Sequence, residues 1–475
     1  MSREARRFYV GGRWIEPAAP TRLFETVDPA TEQPSGTVAL GGAADVDRAV
    51  EAARAARAAW AATAPAERRA VLARALELLG QREAAFASAI TDEMGCPATL
   101  SAKAQVKLGA AHLRTGVALL DGFEFEERVG ATRVRLEPVG VCALITPWNW
   151  PLNQVACKVV PALAAGCTMV LKPSEYSAYS GDLWAELMHD AGVPPGVFNL
   201  VQGDASTGRA LVEHPQVDLV SFTGSTRGGR EVAAGAAATL KRVHLELGGK
   251  SPALVLDDAD LAKAVKATTI QVLQNSGQSC NAPTRLFVPA SRLAEAESIA
   301  AGVMAKAVAG DPREAATTLG PVVSRVQFER IQALLESGVR EGARAVTGGP
   351  GRPAGVERGW FVQPTLFADL RDDMQVVREE IFGPVLCLLG YADEAEALAR
   401  ANATPYGLSA YVWAGSLERA QAVAARLEAG SVHLNGAGPD FAAPFGGWKQ
   451  SGYGREWGVY GLRAFLEPKA LLGAG

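Results

Sequence analysis

Apolar residues fall into two rhythms along this chain. From Asp45, the residues Val46, Ala49, Val50, Ala53 and Trp60 recur at helical spacing, with Asp45 read as the N-cap. Pro65 is placed to open a second helix that runs to about Gly95. Ahead of both, FYVGGRW (8–14) predicts a short strand pair around a Gly-Gly turn. Residues 132–138, TRVRLEP, alternate polar and apolar as an exposed strand does. Then the texture changes. VCALIT (141–146), TMVLKP (168–173), VFNLVQG (197–203), VDLVSFTG (217–224) and RVHLEL (242–247) are short β-rich runs separated by helical stretches. Such alternation predicts a parallel sheet with helices on both faces. A second alternation starts with PALVLDD (252–258) and TRLFVP (284–289) and continues to roughly 440. The expected fold class is α/β, with two parallel-sheet domains and a seam near Gly248–Gly249. Residues 348–359 have the composition of a loop, and no repeat of solenoid period is present.

Composition narrows the partners. A chain of 475 residues is too long for one core, which favours two or three domains. Lys and Arg number 47 against 51 Asp and Glu, so nothing suggests a nucleic-acid or anionic-membrane surface. The N-terminus is charged and lacks an apolar signal segment, and the longest apolar stretch, 159–171, is too short to span a bilayer. Six cysteines without a CxxC fit reduced thiols in the cytoplasm, the expected location. Five scattered histidines form no HxxxH or HxH, so no metal is expected.

Ligands of open parallel sheets bind beyond the carboxyl ends of the strands. Asn149 follows VCALIT there, Lys172 and Glu175 end TMVLKPSE, TGSTRGG follows VSF, and Glu246 ends RVHLE. TGSTRGG lacks the middle glycine of GxGxxG, since Thr226 occupies it, and reads equally well as a tight strand-to-helix turn. Lys172 with Glu175 can grip vicinal ribose hydroxyls, or be a surface ion pair. Glu246 shares one strand face with His244, which is either solvent-facing or turned to a ligand, as the two glycines after it suggest. A partly buried glutamate there has a raised pKa and suits a general base.

Cys280 stands in NSGQSCNAP, after a helical run stopped by Gly277. Most free cysteines are buried hydrophobes. The small polar neighbours suggest instead a reachable, hydrogen-bonded sulfur. Thiol, carboxylate, amide and nucleotide site form a consistent set. Cys280 attacks a carbonyl, Asn149 stabilises the oxyanion, hydride leaves to a nicotinamide, and Glu246 activates the water that releases an acid.

PWNWP, KPSE, FTGS, ELGGK, GQSC, EEIFGPV and PFGGWKQSGYGRE occur in this order. On these motifs the chain resembles the NAD(P)-dependent aldehyde dehydrogenase superfamily over essentially its whole length. The resemblance implies Cys280 as nucleophile, Glu246 as base, and Asn149 with the Cys280 N–H as oxyanion hole. It implies NAD, with NADP less favoured, and Lys172 and Glu175 on the adenosine ribose. Trp148, Gly203, Phe222, Gly224 and Ser225 would line the cofactor site, joined by Thr146, Ser174, Thr223 and Gly228. Leu247, Gly248 and Gln327 would border it, and Glu380 and Phe382 would position the nicotinamide ribose and ring. Residues 1–122 and 140–247 would form the Rossmann-like cofactor domain, and 248–457 the catalytic domain. Residues 123–139 with 458–475 would form a small β element for a homodimer or homotetramer.

The resemblance also places the substrate tunnel at Trp150, Asn153, Gln154 and Cys157, at Ser279 and Asn281, and at Phe441 and Phe445. Mixed aromatic and amide groups suit an aliphatic or aromatic aldehyde, with or without a distal polar group. Three rivals are open to the sequence. A CoA-acylating enzyme of this fold would not need Glu246. A thiol hydrolase would pair Cys with His. A non-catalytic protein of this fold would not need Cys280 and Glu246.

Overall fold

The computed structural model describes residues 3–473. Its first sheet is built on five parallel strands. In spatial order they are Arg242–Glu246, Leu219–Thr223, Val141–Thr146, Thr168–Pro173 and Phe198–Leu200. Val141–Thr146 and Thr168–Pro173 are buried at every position, which explains their unbroken β-branched and apolar runs. Antiparallel strands close both edges. The Phe8–Val10 and Arg13–Ile15 pair lies beside Phe198–Leu200, and Gly452–Tyr453 lies beside Arg242–Glu246.

After Glu246 the chain crosses to a second sheet, entering it at Pro252. That sheet runs Arg344–Thr347, Thr365–Ala368, Val385–Tyr391, Arg285–Pro289, Pro252–Val255, Ser409–Trp413 and Ser431–Leu434. Only its first strand is antiparallel. Apolar clusters lie on both faces of each sheet. A separate antiparallel arm joins Glu126–Val129, Thr132–Pro138 and the late strand Leu466–Leu471.

Several local expectations need correction. Gly42, not Asp45, caps the helix Ala43–Ala61. Asp45 sits three residues in and accepts the Gly42 N–H at 3.0 Å. The helix opened by Pro65 ends at Gln81, and a separate helix, Glu83–Met94, follows the break at Arg82 and stops on left-handed Gly95. The run 197–203 yields only the strand Phe198–Leu200. A mixed three-stranded sheet of Arg3–Ala5, Gln33–Leu40 and Arg22–Asp28 was not legible, because Pro34 and Gly36 interrupt its central strand's pattern.

The helix before Cys280 ends at Leu273 rather than Gly277. A turn over Gln274–Gly277 follows, with left-handed backbone at Asn275, Ser276 and Gly277. A methyl group on Gly277 would meet the Gly383 carbonyl oxygen at 2.0 Å. Gly277→Ala is therefore expected to cost about 2–4 kcal/mol of stability and most of the activity, because backbone must yield to backbone. Thermal melting and turnover check this; an unchanged variant would contradict it.

Candidate active site

Val141–Thr146 precedes all other parallel strands of its sheet. The next two strands add on one side of it, and the following two add on the other. The order thus reverses between Val141–Thr146 and Leu219–Thr223, and ligands bind at such reversals. A cavity of about 490 Å³ lies there, lined by Thr146, Trp148, Lys172, Ser174, Glu175 and Phe222 among others. A second cavity of about 190 Å³ shares Pro147, Trp148, Thr223, Gly224 and Ser225 with the first. It continues past Asn149, Leu247 and Gly248 to Cys280, and past Gln327, Glu380 and Phe382 on its far wall.

Both readings of TGSTRGG hold at once. Ser225 caps the helix Thr226–Ala237 through the Gly228 N–H at 3.1 Å, and the same turn lines the cavity. The surface ion-pair reading of Lys172 fails. Lys172 is buried, and its ammonium donates to the carbonyls of Pro173 at 3.0 Å and Gly203 at 2.7 Å. Burial lowers its pKa. Gly203 thus serves through its carbonyl and is not a wall of the cavity. Glu175 accepts the Ser174 hydroxyl at 3.2 Å. Gln327 fixes the opposite wall by donating to the Phe382 carbonyl at 3.0 Å, and Phe382 meets Trp148 edge to face at 5.6 Å. Glu380 accepts the Gly249 N–H at 3.0 Å, and burial pushes its carboxyl up to about 7.

The sulfur of Cys280 lies 4.0 Å from Glu246 Oε2. Glu246 is buried at the end of its strand, so the solvent-facing reading of His244 and Glu246 is wrong: both point inward. The Glu246 Oε1 atom has no protein hydrogen-bond partner. Burial first, and the charge of Glu456 second, push its pKa well above the ordinary carboxylate value. Burial and then the Glu246 charge push the Cys280 thiol up as well.

The polar residues around Cys280 do not solvate the sulfur, as the sequence suggested. They hold the turn. Asn275 Nδ2 donates to the Asn149 carbonyl at 2.8 Å, and Ser276 to the Gly320 carbonyl at 2.7 Å. Gln278 accepts the Val323 N–H at 3.0 Å. Asn149 Nδ2 donates once, to the Gln278 carbonyl at 3.1 Å, which leaves its second N–H unspent.

A buried charged group backs Glu246, and sequence reasoning missed it. Lys158 Nζ lies 2.5 Å from Glu456 Oε1 and 3.1 Å from the Ser221 hydroxyl. The only signal was one lysine inside the apolar helical run 155–165. On the substrate side, the Trp150 indole donates to Ser279 at 2.6 Å, and Asn153 meets His112 at 2.8 Å. Phe441 and Phe445 stack on Trp457, with ring centroids 5.0 and 4.5 Å apart. His112 lies edge-on to Phe441, and burial lowers its pKa to about 4. His112 and Trp457 were also missed, since an isolated ring carries no pattern. Gln154 and Cys157 are buried, and Cys157 donates to Glu456 at 3.3 Å. The Asn281 carbonyl accepts the Tyr411 hydroxyl at 2.9 Å.

Proteins of similar sequence and fold are known. The model of the aldehyde dehydrogenase family matches residues 14–471. A 3-succinoylsemialdehyde-pyridine dehydrogenase from a Pseudomonas species is 52% identical, over 99% of both chains. Aldehyde dehydrogenase C from Pseudomonas syringae, solved as a cysteine-to-alanine mutant with NAD+ and octanal, is 50% identical. It superposes with a TM-score of 0.98 over 99% of this chain and 97% of that one. An aldehyde dehydrogenase from Mycobacterium tuberculosis, solved with NAD+, is 38% identical with a TM-score of 0.97 over 99% of both chains. Match length, identity and superposition agree with the order of the motifs, and the chain belongs to the aldehyde dehydrogenase family.

Proposed function

We propose that this aldehyde dehydrogenase makes a carboxylic acid through a thioester on Cys280, with NAD+ as hydride acceptor and water activated by Glu246. The observation that carries this reading is the 4.0 Å approach of the thiol to a desolvated carboxylate, at the end of a cavity that continues into the sheet reversal. In the first step the thiol gives up its proton to water, and the thiolate adds to the aldehyde carbon. The oxygen becomes an alkoxide, held by the spare Asn149 N–H and the Cys280 backbone N–H. The C–H bond then breaks with its electron pair, the C=O bond re-forms, and a thioester remains. Glu246 next takes a proton from water, hydroxide adds to the thioester, and the thiolate leaves as the acid forms.

A dinucleotide fits the residues present. Lys172 has spent two of its three N–H bonds on carbonyls, so one is free for a ribose hydroxyl, and the Glu175 carboxylate can accept from its neighbour. When bound, the nicotinamide supplies the acceptor for the hydride. Glu380 and Phe382 would hold its ribose and ring. In this reading residues 1–122 and 140–247 bind the cofactor and 248–457 carry the nucleophile. Residues 123–139 with 458–475 form an arm for a homodimer or homotetramer, supported by the fully exposed edge strand Glu126–Val129. The aromatic cluster of Phe441, Phe445 and Trp457 suits an aliphatic or aryl aldehyde. The octanal of one relative and the pyridine semialdehyde in the name of another are of these classes.

Glu246→Gln keeps the size of the side chain and removes the base. It also removes the charge that opposes thiolate formation. Rapid mixing with NAD+ and octanal should show a burst of NADH and then a steady state slowed roughly 10²–10⁴-fold. In the wild type, steady turnover should rise with pH through a range above that of an ordinary carboxylate, since a raised carboxyl pKa means the base form grows as pH rises. The variant should lose that rise. An unaltered steady state, or a wild type fastest at acid pH, would refute Glu246 as the base.

NAD should be preferred over NADP, because a 2′-phosphate would crowd the Glu175 carboxylate. Arg209, exposed on the same cavity wall, is a counterweight. Like charges in hydrogen-bonding range cost on the order of a few kcal/mol before screening, or roughly tenfold to a thousandfold in selectivity. Glu175→Gln should move the kcat/KM ratio toward NADP. A ratio indifferent to the change would show that Glu175 does not read the ribose.

A further inference from the structure

The hydroxyl of Tyr411 makes two hydrogen bonds, and both go to the segment that carries Cys280. It accepts from Gln271 Nε2 at 2.7 Å and donates to the Asn281 carbonyl at 2.9 Å. Gln271 stands in the last turn of the helix Leu261–Leu273, ahead of the left-handed turn, and Asn281 directly follows the cysteine. One oxygen atom thus ties the entrance of the segment to its exit. The bonds of Asn275, Ser276 and Gln278 hold its middle and do not reach these ends.

A buried tyrosine hydroxyl ordinarily finds a partner, and one such bond is no sign of function. Here the direction of the hydroxyl is built into the sheet. Tyr411 lies on the strand Ser409–Trp413, in register with Ala253 on one side and His433 on the other. Its ring stacks on the His433 ring, with centroids 4.6 Å apart and planes 11° apart. His433 is fixed in turn by its Nδ1–H, which donates to the Ala437 carbonyl at 2.9 Å. Burial raises the Tyr411 pKa, so the phenol keeps its proton and stays a donor at neutral and alkaline pH.

Asn275 and Ser276 hold left-handed backbone, and such strain persists only under restraint. With the ends of the segment untied, the strain is relieved by movement of the sulfur. A displacement of about 1 Å at a reacting group can cost roughly a hundredfold in rate.

We propose that Tyr411 is a positioning residue for the nucleophile: its hydroxyl clasps the two ends of the Cys280 segment and so fixes the sulfur and the Cys280 backbone N–H against the aldehyde. This rests on the reading of Cys280 as nucleophile. Tyr411 lines neither catalytic cavity and acts through Gln271 and Asn281.

The test is a double-mutant cycle on the first turnover of NADH formation, followed by rapid mixing with NAD+ and octanal. Tyr411→Phe keeps the ring and its stack and removes the hydroxyl. Gln271→Leu removes one of the two bonds. At saturating octanal the first turnover should slow roughly tenfold or more in Tyr411→Phe and less in Gln271→Leu. The double variant should be no slower than Tyr411→Phe, because both changes open one clasp. The octanal concentration for half-maximal rate and the affinity for NAD+ should stay within about twofold of wild type, a split that general loosening of the fold would not give. An unchanged first turnover in Tyr411→Phe, a loss confined to the octanal concentration dependence, or losses that add in the double variant would overturn the clasp and leave Cys280 as nucleophile. A Cys280→Ala variant that still forms NADH would remove the underlying reading, and the clasp with it.

Discussion

Glu246 is a carboxyl taken out of water beside a thiol, with one oxygen left without a protein partner. Burying such a group costs free energy unless it is neutralised or paired. Its raised pKa expresses that cost, and Glu456 deepens it while Lys158 relieves it. Keeping a carboxyl in this condition demands a rigid support, and much of the architecture near the site provides one.

That support is the edge of a parallel sheet. Thr223 pairs with Glu246 on one side, and Gly452 pairs with it on the other. The Gly452–Tyr453 strand returns from the far end of the chain, so the glutamate is clamped by segments some two hundred residues apart in sequence. Ser451 adds a tie by donating to the Gly248 carbonyl at 2.7 Å and accepting the Gly407 N–H at 3.0 Å. The thiol is brought up from the other sheet by a turn whose left-handed residues are held by side-chain bonds to backbone. Strain at such a position persists only when its surroundings over-determine it, and here Asn149, Gly320 and Val323 do so.

Much of this was legible in the sequence, for a physical reason. Central parallel strands are buried on both faces, so Val141–Thr146 and Thr168–Pro173 stand out as continuous apolar runs, and the residues at their ends follow directly. The strand Gln33–Leu40 hid because its pairing depends on distant partners and its pattern is broken. Lys158 and Glu456 hid because nearly three hundred residues separate them, and neither shows its partner in the sequence. The polar neighbours of Cys280 were noticed, but their task was misread. Residue type says that a hydrogen bond will be made, and only the fold says with what.

The proposed reaction requires a covalent acyl group on one sulfur. Its most direct test is intact-protein and peptide mass spectrometry of Glu246→Gln, quenched in acid just after mixing with NAD+ and octanal. The peptide containing Cys280 is expected to gain the mass of one octanoyl group, and the other five cysteines to stay unmodified. NADH released while Cys280 remains unmodified, or an acyl group carried by another residue, would contradict it.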